Sequence, residues 1–450
     1  MSSEDKNVEE LLKKAYEPAK LAMKYHPFYG GKIETIPKAP IKSFDDFAVW
    51  YTPGVAEPCK AINQDVDEAY NHTSKWNTVA VVTDGTRVLG LGDIGPEAAM
   101  PVMEGKAMLF KYLGGVDAVP ICLDTKDPDE IIQAVKWLAP AYGGINLEDI
   151  SHPKCFRILD TLREDLGDKI PVWHDDQQGT ATIVVAGIIN ALKLVGKELD
   201  EAKFAMLGAG AAGVAISRVM NAAGIPYRNM YMCDSRGLLH PGREELEDKY
   251  PQKWFMAQNS NGEGIEGGPE EATKGADVVI GASKPGPGVI TQDMVRSMAD
   301  DSIVFATANP IPEIWPWEAK EAGARVVATG RSDFANQVNN SVGFPGIFRG
   351  TLDVKARTIT DEMCIAAAYE IANTAEDNGL SEEYIVPNMD EWEVFPREAT
   401  AVGMKAIEQG VARKKVSRDE LYRTAETIIK RARGQTKHMM DGGFIKDFPK

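Results

Sequence analysis

The spacing of hydrophobic positions changes repeatedly along this chain, and the changes mark out its elements. Short apolar runs alternate with stretches in which apolar residues recur every three or four positions, which predicts strands alternating with helices. Residues 7–25 carry Leu11, Leu12, Ala15 and Leu21 at helical spacing. Thr78 to Asp93 reads as two strands joined through Asp84-Gly85, a dipeptide suited to a hairpin, with Arg87 on the second strand. Met103 to Tyr112 reads as a helix and Val116 to Leu123 as a buried strand. Asp127-Pro128-Asp129-Glu130 supplies an N-cap acid, a first-turn proline and an early glutamate for a helix through Trp137. A strand at Gly143 to Ile150, a helix at Cys155 to Arg163, a strand at Lys169 to Asp176 and a helix at Thr180 to Leu194 continue the pattern. It runs to about residue 385, which is the signature of an α/β fold with a mostly parallel sheet. From Ser381 the chain turns to proline-punctuated loops and then helices at Ala399 to Arg413 and Ser417 to Arg433.

One stretch joins the two periods. Between Lys203 and Gly224 the apolar run Phe204 to Leu207 meets Gly208, Gly210 and Gly213, with Ala209, Ala211 and Ala212 between them. Behind this G-x-G-x-x-G pattern Val214, Ile216, Val219 and Met220 recur at helical spacing. Strand, glycine turn and helix form a Rossmann-type unit: the glycines permit a tight turn, let backbone approach a pyrophosphate and let the helix pack on the strand. Asp234 ends the run Asn229 to Asp234, 21 residues beyond Gly213. A carboxylate there accepts hydrogen bonds from ribose hydroxyls and repels a 2′-phosphate, which favours NAD. Arg236 and Arg243 follow closely and would pair with such a phosphate, so some use of NADP is expected as well. Three further strands at 276–288, 302–310 and 325–334 end in polar loops and would supply the second half of the dinucleotide domain. Ser283 and Asn309 in these loops are candidate cofactor contacts.

Composition narrows the class. The chain has 450 residues, 44% of them apolar, which is enough for two or three domains with full cores. A formal net charge of −17 speaks against nucleic acid or an anionic membrane surface as partner. Five scattered cysteines without a C-x-x-C pair suggest reduced thiols and a cytoplasmic location. The first twenty residues lack an apolar core, and no stretch approaches 18 uninterrupted apolar residues, so neither a leader nor a membrane span is expected.

Candidate chemistry gathers at strand ends, where ligands of open α/β sheets collect. GGINLEDI ends in Glu148-Asp149, and KIPVWHDD ends in Asp175-Asp176. Two acidic pairs placed together repel unless a cation joins them, and oxygen-only donors favour Mg²⁺ or Mn²⁺ over zinc. Alternatively each pair caps the helix that follows. His174 is a packing residue or a ligand. Lys106, among apolar neighbours, is either a snorkelling lysine or a partly desolvated base. Tyr51 stands before a Thr-Pro-Gly turn, a position that packing alone explains. Asn309, Asn339 and Asn340 sit in loops as substrate contacts or as turn residues bonding local backbone.

Together the motifs YTPGVAEPC, VVTDG-x-x-VLGLGDIGPEAAMPVMEGKAMLFK, INLEDI, VWHDDQQGTA, GAGAAG, GASKPG, ATANP and NNSVGFPG resemble those of the malic enzyme family in its short prokaryotic form, from about Ala48 to Arg349. The resemblance implies oxidative decarboxylation of L-malate to pyruvate and CO₂ with reduction of NAD(P), and possible decarboxylation of oxaloacetate. It makes Tyr51 the general acid and Lys106 the general base. Glu148, Asp149 and one of Asp175 and Asp176 would hold the metal, and the other aspartate would orient Lys106. Asn309 and Asn340 would bind the substrate carboxylates, with Arg87 standing where large relatives use an arginine on the substrate. Gly208 to Gly213 would hold the cofactor. The implied layout is an N-terminal catalytic domain at 1–165, a Rossmann domain at 166–385 and a helical segment at 386–450 packing back on the first, assembled as a homodimer or higher homo-oligomer. The alternative within this resemblance is a malolactic-type lyase that retains NAD and yields lactate.

Overall fold

The computed structural model describes residues 17–283, 286–309 and 311–449. Two sheets organise it. The first contains β1 (Thr78–Thr83), β2 (Asp117–Cys122), β3 (Gly144–Leu147) and β4 (Val172–His174), in the order β2-β1-β3-β4 with all neighbours parallel. The second contains β5 (Phe204–Leu207), β6 (Met230–Asp234), β7 (Gly237–Leu238), β8 (Val278–Gly281), β9 (Ile303–Ala306) and β10 (Val326–Thr329). Their order is β10-β9-β8-β5-β6-β7, and only the short β7 runs antiparallel to its neighbour.

The helices that matter for the site are α1 (Pro96–Gly114), α2 (Pro128–Leu138), α3 (Lys154–Leu166), α4 (Thr180–Val195), α5 (Ala211–Ala222), α6 (Phe344–Asp353), α7 (Asp361–Gly379), α8 (Val394–Glu408) and α9 (Arg418–Asp441). The cap foreseen for α2 forms, with the Asp127 side chain accepting from the Asp129 N–H at 2.7 Å.

β1 shows why these strands read as unbroken apolar runs. Val79 and Val81 face one cluster with Phe110, Phe348 and Leu352, while Ala80 and Val82 face another with Ile131 and Leu159. Both faces of a parallel strand are covered, so polar alternation has no place in it. The same burial explains α4. Together with the turn before it, Asp175–Val195 is long and apolar enough to cross a bilayer, yet its side chains lie in the core with Phe204, Phe305 and Ile371.

Several expectations need correction. The hairpin at 78–93 does not form, because β1 is an interior strand whose two edges are taken by β2 and β3. Past Asp84-Gly85 the chain makes an irregular loop with one isolated bridge between Val88 and Gly92, and Arg87 stands in that loop. The strand expected at 169–176 is limited to β4, since 175–179 winds into a π-turn. β4 lies in the first sheet, so the strands change sheet only after residue 174. The core of the first sheet also takes Phe344, Phe348, Val402 and Leu421 from α6, α8 and α9. Of the helix expected at 7–25, residues 1–16 lie outside the described residues, and 17–29 are helical.

Residues 44–66 stand apart from these cores. Neither helix there, Asp46–Trp50 or Ala56–Gln64, has a buried residue. Phe44, Val49, Trp50, Tyr51 and Val66 are all exposed, Phe44 by 91% and Tyr51 by 71%.

Candidate active site

The register of the first sheet builds the site. Leu147 of β3 pairs with His174 of β4, so the residues that follow, Glu148-Asp149 and Asp175-Asp176, leave the sheet side by side. Asp149 turns with φ 54°, in the left-handed region that aspartate tolerates better than most residues. Its N–H donates to Asp176 Oδ2 at 2.9 Å. One oxygen from each of Glu148, Asp149 and Asp176 lies within 4.8 Å of the others.

Lys106 reaches this cluster from α1. It shares a helical stripe with Met103, Ala107 and Phe110, and that is why a lysine is inside. Its Nζ lies 2.6 Å from Asp175 Oδ2, 2.9 Å from Glu148 Oε1 and 4.3 Å from the centre of the Phe344 ring. Asp175 is fixed from three sides: Asn340 Nδ2 donates to Oδ2 at 2.5 Å and Trp173 Nε1 to Oδ1 at 3.3 Å, in addition to the lysine. Gly179 ends the π-turn because a Cβ there would collide with Asp175 Oδ1. The two aspartates that the sequence left equivalent are thus separated. Asp175 faces Lys106 and Asn340, and Asp176 faces Glu148 and Asp149.

Burial and mutual repulsion set the charges. Burial, followed by Asp176, pushes the Asp149 carboxyl up to about 8, against the pull of Lys106 and the Leu89 amide. Glu148 is pushed well above the ordinary range, first by burial and then by its acidic neighbours, although Lys106 opposes this. Burial alone would lower the Lys106 ammonium, but Asp175 and Glu148 reverse this and its pKa is raised. His174 is fully buried, 3.7 Å from Asp176, and burial pushes its pKa down, so it packs as a neutral ring. Asp149 Oδ2, Asn146 Oδ1 and both side-chain polar atoms of Gln177 have no partner among the described residues. Three carboxylates with a bare buried oxygen, and no thiolate among them, fit a hard divalent cation.

The dinucleotide turn borders this cluster. Ala211 and Val214 of α5 pack against the first sheet's own core, and α5 touches the turn 175–179. A Cβ at Gly208 (φ 140°) would collide with Ala282, and one at Gly213 with Gly208 itself. A Cβ at Gly210 would meet nothing within 4 Å, so the backbone at the start of α5 faces open space, as a pyrophosphate requires. Ala209 is buried and Ala211 and Ala212 half-buried along the turn. Asp234 accepts from the Arg236 N–H at 2.9 Å, while Arg243 and Lys253 hold its carboxylate at 3.3 Å. Arg236 itself points outward, 3.6 Å from Glu245 and 71% exposed, so Arg243 rather than Arg236 flanks Asp234. Ser283 and Asn309 are exposed at the ends of β8 and β9, with Asn309 Nδ2 donating to the Gly330 carbonyl at 3.1 Å.

Two predicted residues stay outside the cluster. The Arg87 guanidinium is exposed and donates to its own loop at Leu89, although the Arg87 N–H reaches the Asp149 carbonyl at 3.0 Å. Tyr51 is not joined to Lys106 by any described contact. Trp50 donates to the Pro40 carbonyl at 3.1 Å, Lys38 lies over Trp76 just before β1, and Asp67 pairs with Arg413, whose guanidinium holds the Lys169 carbonyl just before β4. Lys38 and Asp67 therefore hold the segment carrying Tyr51 near the amino edge of the first sheet, although upstream Lys32 donates to Glu104 and the Pro101 carbonyl on α1. Lys106 lies at the carboxyl edge, and β1 alone is about 17 Å long.

Sequence reasoning missed Asn146, Trp173 and Lys253. Asn146 lies two residues before Glu148 on one strand and donates to it at 2.8 Å, a period-two signal that was legible. Trp173 and Lys253 reach their aspartates by tertiary packing and gave no local signal.

Residues 30–163 match the family described as "Malic enzyme, N-terminal domain", and residues 177–407 match "Malic enzyme, NAD binding domain". The chain is 54% identical to an NAD-dependent malic enzyme of Geobacillus stearothermophilus over 86% of its length and 78% of the relative's. It is 49% identical to a bifunctional malic/malolactic enzyme of Bacillus subtilis, covering 89% and 96% of the two chains. An NADP-dependent malic enzyme of Rhizobium meliloti is 42% identical over 91% of this chain and 56% of its own length. The crystal structure of Entamoeba histolytica malic enzyme superposes with a TM-score of 0.95 at 46% identity, over 100% of this chain and 93% of that one.

Proposed function

The chain belongs to the malic enzyme family, and from that premise we propose that it is a divalent-metal-dependent enzyme that converts L-malate to pyruvate and CO₂ while reducing NAD, and NADP less well. The observation that carries the reading is the buried ammonium of Lys106, bridging Asp175 and Glu148 beside the Glu148–Asp149–Asp176 cluster. When bound, a Mg²⁺ or Mn²⁺ ion on those three carboxylates supplies the Lewis acid for decarboxylation, and a dinucleotide at Gly208 to Gly213 accepts the hydride.

The chain's own residues handle the protons and the orientation. Lys106 Nζ takes the proton of the C2 hydroxyl, for which it must first be neutral. Glu148 faces both the lysine and the cluster. Were Glu148 to serve as a metal ligand, one of the two charges that raise Lys106 would be drawn away, leaving Asp175 to oppose the burial that favours the neutral amine. Asp175, held by Asn340 and Trp173, keeps Nζ aimed. Asn309 and Asn340 offer amide donors to the substrate carboxylates. A proton must finally reach C3, and Tyr51 is the donor.

That donor comes from a second copy of the chain. Tyr51 sits on an arm with no buried residue in either of its helices and with Phe44, Val49, Trp50 and Val66 bare, while the site around Lys106 holds no tyrosine of its own among the described contacts. An apolar arm of this kind favours burial against a like chain, and a two-fold dimer would exchange two arms at once.

The test is malate-dependent growth of reduced-cofactor absorbance with NAD and NADP in turn, with and without Mn²⁺ or Mg²⁺. Full activity in excess chelator would remove the metal from the reading. The name of the Bacillus subtilis relative favours a second activity, malolactic decarboxylation. Lactate formed without net NADH would establish it.

A further inference from the structure

Glu313 ties together the loops that border the carboxyl edge of the second sheet. It is fully buried, between the end of β9 and the helix Pro316–Glu321. Its Oε2 accepts from the Ala308 N–H at 3.0 Å, and its Oε1 has no partner among the described residues. The carboxyl lies against Gly281, the last residue of β8, where a Cβ would stand 2.5 Å from it. The Glu313 carbonyl accepts from the Gly288 and Ile290 amides at 3.1 and 3.2 Å. Thr307 Oγ1 donates to the Gly281 carbonyl at 2.6 Å, and Ala282 backs onto Gly208 of the dinucleotide turn. One side chain therefore sits where the loop after β8, the loop after β9 and the glycine turn meet. A half-partnered carboxyl in a dry site costs folding energy, and an apolar residue of the same size would avoid that cost. Packing does not account for it.

We propose that Glu313 is a positioning residue for the reaction: by holding the Ala308 amide it fixes the loop that presents Asn309 toward the cleft shared by substrate and dinucleotide. The proposal rests on the malate-oxidising reading above. Fixing a loop in this way matters because small misplacements of a substrate-positioning group lower catalysis sharply.

Glu313→Leu and Glu313→Gln separate positioning from packing. Leucine fills the volume without an acceptor, whereas glutamine keeps an oxygen for the Ala308 amide. Glu313→Leu should raise KM for malate on the order of tenfold and speed hydrogen exchange in the peptide covering 305–312, at an unchanged or higher Tm. Glu313→Gln should restore both. If Glu313→Leu does not fold, Gly281→Ala replaces it with the same expectation for KM and exchange but not for Tm, since its Cβ displaces the carboxyl by overpacking. A KM within about twofold of the parent, or equal impairment by leucine and glutamine, overturns the proposal. A wild-type protein inactive on malate would instead sink the reading of the reaction, and the exchange measurement would still decide whether Glu313 holds the loop.

Discussion

If Tyr51 serves the site of the opposite subunit, two inactive variants must complement each other. Tyr51→Phe removes the acid, and Lys106→Ala removes the base at a cost on the order of 10²- to 10⁴-fold in turnover. Either homodimer then lacks half of the pair at both of its sites. In a heterodimer the outcome depends on geometry alone. With the tyrosine crossing over, one site collects both defects and the other has neither. With both residues in one subunit, every site keeps one defect. Two-fold symmetry thus sets the magnitude: a purified heterodimer should have about half of the wild-type turnover, and a random mixture of subunits about a quarter. Both values stand far above the residual activity of either parent. The assay is co-expression with two different affinity tags, sequential purification on both, and malate-dependent cofactor reduction. A heterodimer no more active than the better parent would refute the crossing. It would then require the arm at 44–66 to fold back across the sheet from the edge where Lys38 and Asp67 hold it.

Further consequences can be read from the same charges. Burial and Asp176 push the Asp149 carboxyl up to about 8, so Mn²⁺ binding should release protons, and its affinity should rise from pH 6 to 8 in titration calorimetry. Because the folded pKa is raised, the stability linked to Asp149 is complete below about pH 4 and is lost as pH rises through about 8. Asp149→Asn should therefore stabilise the metal-free protein at pH 8, by about a few kcal/mol, and so raise its Tm, while weakening metal binding; an unchanged Tm would contradict the repulsion. Asparagine also accepts the left-handed φ at this position. For the cofactor, Arg243→Ala or Lys253→Ala should lower kcat/KM with NADP more than with NAD, whereas Arg236→Ala should do little, since its side chain points away from Asp234. A wild-type kcat/KM higher with NADP than with NAD would reverse the assigned preference.

The parallel sheets, the glycine turn and both acidic strand ends were legible in the sequence because each depends on local period and local turn chemistry. β3 and β4 announce themselves as apolar runs, and the residues that follow a strand in a parallel sheet must emerge at one edge. What the sequence left open was set by contacts from far along the chain. Asp175 and Asp176 look alike until Asn340, 165 positions away, takes one of them. Arg236 looks nearer to Asp234 than Arg243 until the chain beyond Gly237 curls back and aims the latter inward. The hairpin reading of Asp84-Gly85 failed for a related reason. The dipeptide does turn the chain, but only the occupied edges of β1 reveal that no strand can return beside it.

The site was also visible as a place where ordinary rules of stability are broken together. Buried acids repel one another, a lysine lies on an apolar helical stripe, and Asp149 occupies a strained backbone region. Orphaned polar atoms on Asn146, Asp149, His174 and Gln177 crowd the same strand ends. Each feature alone destabilises a fold, and unpartnered buried polar atoms occur elsewhere too, on Glu398 and Arg433 for example, but here they stand beside a buried lysine and repelling acids. Their combination at one edge, beside the turn 175–179 that α5 touches, makes sense if ligands supply the missing partners. A cation satisfies the carboxylates, a pyrophosphate the amides of α5, and a dicarboxylate the asparagines. The metal-free chain is then the least stable form of the molecule, and the energy released on binding first restores what the folded site lacks.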